Sequence, residues 1–163
     1  MKPALLVIDV QKAFFKESPV TAQSLDAAIE MINYAIALFR KKGLPVISVQ
    51  HTEEDLVPGT EGFDLPEKLS ILPGDLHIRK SYGNSFNKTP LAEELGKLGV
   101  DTVVVTGYCA EFCVLSTYRG AEDLDLTPII LRGSLASRNP ENIKVVEGIS
   151  EVISYGALRR ALA

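Results

Sequence analysis

The chain has 163 residues, of which 46% are hydrophobic and 23% charged, as expected for one globular domain spanning residues 1–163. The formal net charge is −4 and the 17 Lys and Arg residues are scattered, so no basic surface is available to neutralise a phosphate backbone. This composition argues against nucleic acid as a partner.

The first predicted element is a buried strand close to the N-terminus. Its apolar core, residues 4–8, is far too short to span a membrane, and Asp9 interrupts it at once. We therefore predict neither a signal peptide nor a membrane contact.

The two cysteines, Cys109 and Cys113, lie four residues apart, which is a poor basis for a disulfide framework. Free thiols and a cytoplasmic location are expected.

Short apolar runs rich in Val and Ile predict the strands of one sheet. They lack polar alternation, which is typical of parallel strands covered on both faces. The runs are Ala4–Val10, Pro45–Val49, Leu76–Ile78, Thr102–Thr106 and Thr127–Leu131, with a short edge strand near Glu151–Ile153. We predict an α/β fold of three layers, α/β/α, with a mostly parallel, Rossmann-like sheet of about six strands.

Helical periodicity predicts the elements that cover this sheet. An amphipathic helix is predicted from a capping Ser24 to near Gly43, and a second over Pro90–Leu98 with Thr89 as its cap. Three further helices are predicted from about Glu111 to Asp123, over Pro140–Gly148, and after the edge strand. The stretch His51–Asp75 is rich in Pro and Gly and predicts little regular structure; its length suggests a segment that covers a pocket.

Three chemically useful side chains follow predicted strands. Ligands of open parallel sheets bind beyond the carboxyl ends of the strands. Asp9 closes the first strand, Lys80 follows Leu76–Ile78, and Cys113 lies in the helix after Thr102–Thr106. Alone, each has an ordinary structural explanation: a loop anchor, a solvated lysine and an inert buried thiol. Together they supply a base, a cation and a nucleophile, and a helix start would lower the thiol pKa.

The motifs around these residues resemble those of the isochorismatase-like cysteine hydrolases, which include nicotinamidases and N-carbamoylsarcosine amidohydrolases. The nucleophile motif is Gly107-Tyr-Cys-Ala-Glu-Phe-Cys113-Val114 after Val103-Val-Val-Thr106. The aspartate motif is Leu6-Val-Ile-Asp9-Val-Gln11 with Phe14, and the lysine motif is Arg79-Lys80-Ser-Tyr-Gly-Asn-Ser-Phe86-Asn-Lys-Thr89. The resemblance spans nearly the whole chain.

This resemblance implies a role for each member of the predicted site. Cys113 would be the nucleophile, Asp9 the general base and Lys80 the charge-stabilising third member of a catalytic triad. A cis peptide between Tyr108 and Cys109 would turn the backbone amides of Cys109 and Cys113 toward an oxyanion hole. The aromatic residues expected to line the substrate pocket, or simply to pack in the core, are Phe14, Tyr108 and Phe112.

Two segments depart from the family pattern. Nicotinamidases carry a metal site after the second strand, in which an acid precedes a histidine by two positions. Here His51 is followed by Glu53, Glu54 and Asp55, which we interpret as a solvated acidic loop, so we predict no metal and no cofactor, and nicotinamide is disfavoured. Arg132-Gly-Ser-Leu-Ala-Ser137 replaces the usual Asp-Ala pair after the fifth strand and predicts an altered turn.

The predicted activity is hydrolysis of a small amide or carbamoyl substrate through a thioester. Hydrolysis of an isochorismate-like vinyl ether is an alternative, although Cys113 argues against it. A non-catalytic binding protein is a second alternative. An aspartyl-phosphate enzyme is disfavoured, because Gln11 stands where a second acid is needed. The resemblance also implies a homo-oligomer, a dimer or tetramer.

Overall fold

Six strands form one sheet in which all neighbouring strands run parallel. The computed structural model describes residues 1–163, and its strands follow the order β3-β2-β1-β4-β5-β6. The strands are β1 (Pro3–Ile8), β2 (Val46–His51), β3 (Leu76–Lys80), β4 (Thr102–Tyr108), β5 (Thr127–Ala136) and β6 (Val152–Ile153). The predicted fold class is confirmed, and β1 and β4 occupy the centre of the sheet.

Five α-helices and one π-helical turn lie between the strands, and a sixth helix follows the last strand. The helices are α1 (Lys12–Phe15), α2 (Pro19–Lys41), α3 (Leu91–Lys97), α4 (Leu115–Asp123), α5 (Glu141–Gly148) and α6 (Tyr155–Ala161), and the π-turn covers Ala110–Val114. The α2 helix begins earlier than predicted. Ser18 caps it by accepting from the Thr21 amide at 3.0 Å, and Pro19 takes the first helical position. None of these helices has the length and apolar content needed to cross a membrane.

The sheet separates two hydrophobic clusters, one on each face. Successive residues of β1 point to opposite clusters: Leu5 contributes to the cluster that contains α2, and Leu6 to the cluster that contains α3 and α4. Because both faces are covered, the strand needs apolar side chains at every position. This burial on both faces explains the absence of polar alternation in the sequence.

The fifth strand is longer than predicted and contains a bulge. Val105 pairs with Ile130, whereas Gly107 pairs with Leu135, so β5 has extra residues between these two registers. Gly133 has a φ of 84° within the bulge. The predicted altered turn at Arg132–Ser137 takes the form of this bulge, since Arg132–Ala136 lie within the strand and only Ser137 follows it.

The segment between β2 and β3 has little regular structure, as predicted. A single antiparallel bridge joins Glu53 and Leu56. The segment is nevertheless held to the neighbouring helices. The Lys12 amide donates to the Asp64 carbonyl at 2.9 Å, and the Asn33 side chain of α2 donates to the Lys68 carbonyl at 2.8 Å. Its proposed role in covering a pocket stays a prediction.

Candidate active site

The structure brings Asp9, Lys80 and Cys113 together at the carboxyl rim of the sheet. The Lys80 Nζ atom donates a hydrogen bond to Asp9 Oδ2 at 2.8 Å. One carboxylate oxygen of Asp9, one ring nitrogen of His51 and the Cys113 sulfur all lie within 4.8 Å of one another. The carboxylate and the ammonium are almost completely buried, while the cysteine is partly exposed. The predicted convergence of three distant residues is therefore present in the fold.

Asp9 is positioned by an unusual backbone conformation at the end of β1. Its φ is 53°, in the left-handed region, and its amide donates to the Val49 carbonyl of β2 at 2.8 Å. Aspartate tolerates this region better than most residues. Asp9 Oδ1 is buried and makes no hydrogen bond in the protein. One carboxylate oxygen is thus available as an acceptor, and the carboxylate lies beside the thiol.

Gly107 allows β4 to pass close to the end of β1. Its φ is 115°, and a Cβ atom at this position would lie 2.1 Å from the Ile8 carbonyl oxygen. No side chain fits at that distance. The close approach sets the π-turn, which follows β4, beside Asp9.

Cys113 lies in the π-turn, not in a regular α-helix. The Val114 amide donates to the Cys109 carbonyl at 3.2 Å, which closes the wider five-residue turn. The peptide bond between Tyr108 and Cys109 is cis, as the resemblance implied. The Cys109 amide donates to no backbone carbonyl. Its use as an oxyanion donor together with the Cys113 amide stays a prediction.

The electrostatics of the site differ from the sequence-based expectation. Burial raises the pKa of the Cys113 thiol to about 12, and the charge of Asp9 raises it further while Lys80 opposes the rise. A lowered thiol pKa was expected from a helix start, and this expectation is wrong because burial outweighs the cation. Burial also raises the pKa of Asp9, against the lowering influence of Lys80. The proton therefore rests on the sulfur in the free protein.

His51 is a member of this cluster that the sequence analysis placed in a solvated acidic loop. Its Nδ1 atom lies 3.1 Å from Lys80 Nζ, and its ring is largely buried. The strand β2 extends to His51, two residues beyond the predicted end, so the strand-end rule that found Asp9 and Lys80 would have found this histidine too. Asp9, His51 and Cys113 could offer three metal ligands, but the ammonium of Lys80 contacts two of them and opposes a second cation. The expectation of no metal stays a prediction.

The three aromatic residues predicted to line the pocket have different environments. Phe14 and Tyr108 pack against each other, with ring centroids 4.9 Å apart. The Tyr108 hydroxyl donates to Glu17 at 2.5 Å, and Arg138 also contacts that carboxylate. Phe112 is 59% exposed. Contact of these rings with substrate stays a prediction.

A second polar network ties the π-turn to the end of β5 and to α5. The Cys109 thiol donates to Glu111 at 3.2 Å, Ser137 donates to the same carboxylate at 2.8 Å, and the Asn142 amide does so at 2.9 Å. Burial is the main cause that raises the pKa of Cys109 to about 11. Sequence reasoning missed Glu111, Ser137 and Asn142, because nothing in their spacing indicates that they meet. The two thiols form no disulfide, as expected.

An all-parallel sheet that carries an acid, an ammonium and a thiol at its carboxyl rim has the architecture of the isochorismatase-like hydrolases. The chain belongs to the isochorismatase family: the family model described as the isochorismatase domain matches residues 3–151. It is an isochorismatase-family hydrolase.

Individual relatives agree with this assignment. The chain is 33% identical over 126 residues to the uncharacterized isochorismatase family protein YddQ of Bacillus subtilis, covering 74% of this chain and 70% of the relative. It is 26% identical to the maleamate amidohydrolase of Pseudomonas putida, covering 86% and 75% of the two chains. The crystal structure of N-carbamoylsarcosine amidase from Thermoplasma acidophilum superposes with a TM-score of 0.82 at 26% identity, covering 94% of this chain and 96% of that one.

Proposed function

We propose that this protein is a cysteine-dependent hydrolase that cleaves a small amide or carbamoyl substrate through a covalent thioester. The observation that carries the proposal is the buried Asp9 carboxylate, which lies beside the Cys113 thiol, forms an ion pair with Lys80 and has one oxygen without a partner. These groups are the nucleophile, base and cation that acyl transfer to sulfur requires.

The first step is proton transfer from the Cys113 thiol to Asp9. The raised pKa of the thiol keeps the proton on sulfur until substrate arrives, while the raised pKa of Asp9 makes its carboxylate a stronger base toward that proton. The two protonation states carry the same total charge. Lys80 stabilises the negative charge on either partner, because its ammonium acts on both. The transfer therefore moves charge over a short distance within the field of one cation.

In the second step the thiolate forms a C–S bond to the carbonyl carbon, and the π-electron pair moves to oxygen. The amides of Cys109 and Cys113 are the proposed donors to this oxyanion. Collapse of the tetrahedral species breaks the C–N bond. The leaving nitrogen takes the proton from Asp9 and departs as ammonia or an amine, which leaves a thioester on Cys113.

Hydrolysis of the thioester repeats these roles with water as the nucleophile. Asp9 accepts a proton from water as the oxygen attacks the thioester carbon. The second tetrahedral species breaks its C–S bond, and the sulfur recovers the proton from Asp9. The names of two relatives support amide chemistry for this site, since one is a maleamate amidohydrolase and another an N-carbamoylsarcosine amidase.

The test is an ammonia-release screen over small amides, carbamoyl compounds and ureides, with Cys113→Ala and Cys109→Ala as a matched pair. We expect turnover to fall below detection in Cys113→Ala and to persist in Cys109→Ala. Brief incubation with a substrate should add the acyl mass to a peptide containing Cys113. Ammonia release that survives in Cys113→Ala would refute thioester catalysis.

A further inference from the structure

The Lys80 ammonium is buried in the interior, with a side chain that is 0% exposed. An ammonium has three N–H donors and no acceptor, so each donor left without a partner in the interior is costly. Asp9 Oδ2 accepts one at 2.8 Å, and His51 Nδ1 lies at 3.1 Å. The Cys113 sulfur lies within 4.8 Å of an Asp9 carboxylate oxygen and a His51 ring nitrogen. The ammonium thus has two acceptors, on two different chain segments, and the thiol lies beside both residues.

The geometry determines which ring nitrogen of His51 carries the proton. Lys80 can only donate, so His51 Nδ1 must present its lone pair and the proton must lie on Nε2. The backbone from which the ring projects is fixed by a single side chain, Gln11. Gln11 Oε1 accepts from the His51 amide at 2.8 Å, and Gln11 Nε2 donates to the His51 carbonyl at 3.0 Å.

We propose that His51 is a positioning residue of the active site, whose neutral ring holds the Lys80 ammonium between Asp9 and Cys113. This inference rests on the proposed function, in which the ammonium stabilises charge on sulfur. Without the histidine acceptor, the ammonium keeps only its hydrogen bond to Asp9 and can turn away from the thiol. His51 acts on the nucleophile through Lys80.

The role requires His51 to remain uncharged. Protonation of Nδ1 would remove the acceptor and set two cations 3.1 Å apart. The groups that face the ring are Lys80 on β3, Asp9 after β1, Cys113 on the π-turn and Glu53 in the following segment, 3.9 Å from Nε2. Burial and the charge of Lys80 lower the pKa of His51, against the opposite effects of Asp9 and Glu53. The neutral ring is accordingly the stable form near neutral pH.

Alkylation of Cys113 by iodoacetamide tests the proposal without a known substrate. The variants are His51→Asn, which keeps an acceptor close to the Nδ1 position, and His51→Leu, which removes it. We expect His51→Leu to slow alkylation by roughly 10- to 100-fold, because it loses one hydrogen bond to a charged group. The alkylation rate of His51→Asn should remain within about threefold of that of the parent protein, because this variant retains the hydrogen bond. The control is His77→Asn, which changes the other histidine and should leave the rate unchanged.

Nitrogen NMR of the imidazole rings gives a second readout that a purely structural role would not predict. With His77→Asn used for assignment, His51 should show the neutral tautomer with the proton on Nε2 at pH values where ordinary histidines are half charged. A cationic ring, or a proton on Nδ1, would overturn the proposal. If His51→Leu does not fold, a comparison of His51→Asn with His51→Gln replaces it. Gln carries its oxygen closer to the Nε2 position and so lacks the acceptor that Asn keeps near Nδ1.

The two proposals fail in different ways. Equal alkylation rates in His51→Leu and the parent protein, with Cys113→Ala inactive, would reject the role of His51 and leave cysteine catalysis intact. Persisting turnover in Cys113→Ala would reject the proposed function, whatever the tautomer of His51.

Discussion

The Asp9 carboxylate has two oxygens in contrasting environments. One accepts from Lys80 at 2.8 Å, and the other is buried without a hydrogen bond. A carboxylate that is ion-paired on one side and unpartnered on the other is suited to accept a proton from a neighbouring thiol. Removal of the Asp9 carboxylate should affect both catalysis and stability, since the buried Lys80 ammonium would keep its charge but lose its ion-pair partner.

We expect Asp9→Asn to lower turnover by at least about 100-fold and to lower the free energy of unfolding by roughly 3 to 5 kcal/mol, because a buried ion pair is broken. Urea unfolding near neutral pH measures the second effect. Lys68 and Asp26 form an ion pair on the surface, and Asp26→Asn is the control. This surface change should cost less than about 1 kcal/mol. Equal losses in the two variants would contradict the buried-pair assignment.

The Cys113 thiol predicts a loss of stability at alkaline pH. Its pKa is about 12 in the folded protein, against an ordinary value of 9.0. Between these values the unfolded chain releases the proton and the folded chain retains it, so stability falls as pH rises through this window. Cys113→Ser should show a smaller fall in the free energy of unfolding between pH 8 and pH 10.5. Cys109, whose pKa is raised to about 11, is present in both proteins and contributes equally to the loss of stability in each.

At the level of single residues, three of the four clustered side chains could be predicted from sequence. Asp9 and Lys80 follow parallel strands, and Cys113 belongs to a recognisable motif. His51 was misread because the apolar run of β2 ends at Val49 while the hydrogen-bonded strand continues through two polar residues. Hydrophobic pattern marks the buried part of a strand, not its full length. The raised thiol pKa could not be predicted either, because it depends on burial in three dimensions.

At the scale of elements, the close approach of β4 to the end of β1 depends on Gly107. We expect Gly107→Ala to lower the free energy of unfolding by more than about 3 kcal/mol, because the new Cβ would overlap the Ile8 carbonyl and the φ of 115° is unfavourable for alanine. The matched control is Gly96→Ala in α3, where a Cβ meets nothing within 4 Å. That change should stabilise by about 1 kcal/mol. Thermal unfolding of the two variants gives the comparison, and similar transition temperatures would contradict the close approach of the two strands.

Element boundaries were predicted less well than element types. The π-turn at Ala110–Val114 has no periodic signature, and its shape depends on the contacts of Glu111 with Ser137 and Asn142. The bulge in β5 depends likewise on pairing with β4. The start of α2 was placed at Ser24 although Ser18-Pro19 is the stronger signal, since proline at the first helical position has a preset φ.

At the scale of the whole molecule, the layered fold could be predicted because each strand is apolar on both faces. Two separate clusters, of 19 and 18 buried residues, cover the two sides of the sheet. What the pattern could not show is how the long segment between β2 and β3 attaches to this body. In the structure it is tied to α2 by Asn33, which contacts the Lys68 carbonyl and the Ser70 amide, each at 2.8 Å.

We expect Asn33→Ala to increase amide hydrogen exchange around residues 66–72 by roughly tenfold or more, because both hydrogen bonds to this stretch are lost. Exchange in β1 and β4 should not change. Alkylation of Cys113 should keep its parent rate, since Asn33 does not contact the site. Uniform acceleration across the sheet would show that the segment does not open as a local unit.

The left-handed backbone at Asp9 limits how this chemistry could be lost during evolution. A φ of 53° suits Asp, Asn and Gly and penalises branched or bulky residues. Most mutations that remove the carboxylate would therefore also disturb the turn, so selection for folding alone already protects the position. A descendant that kept the fold as a binding protein would be expected to carry Asn or Gly at this position. Such a replacement would indicate that catalysis had been lost.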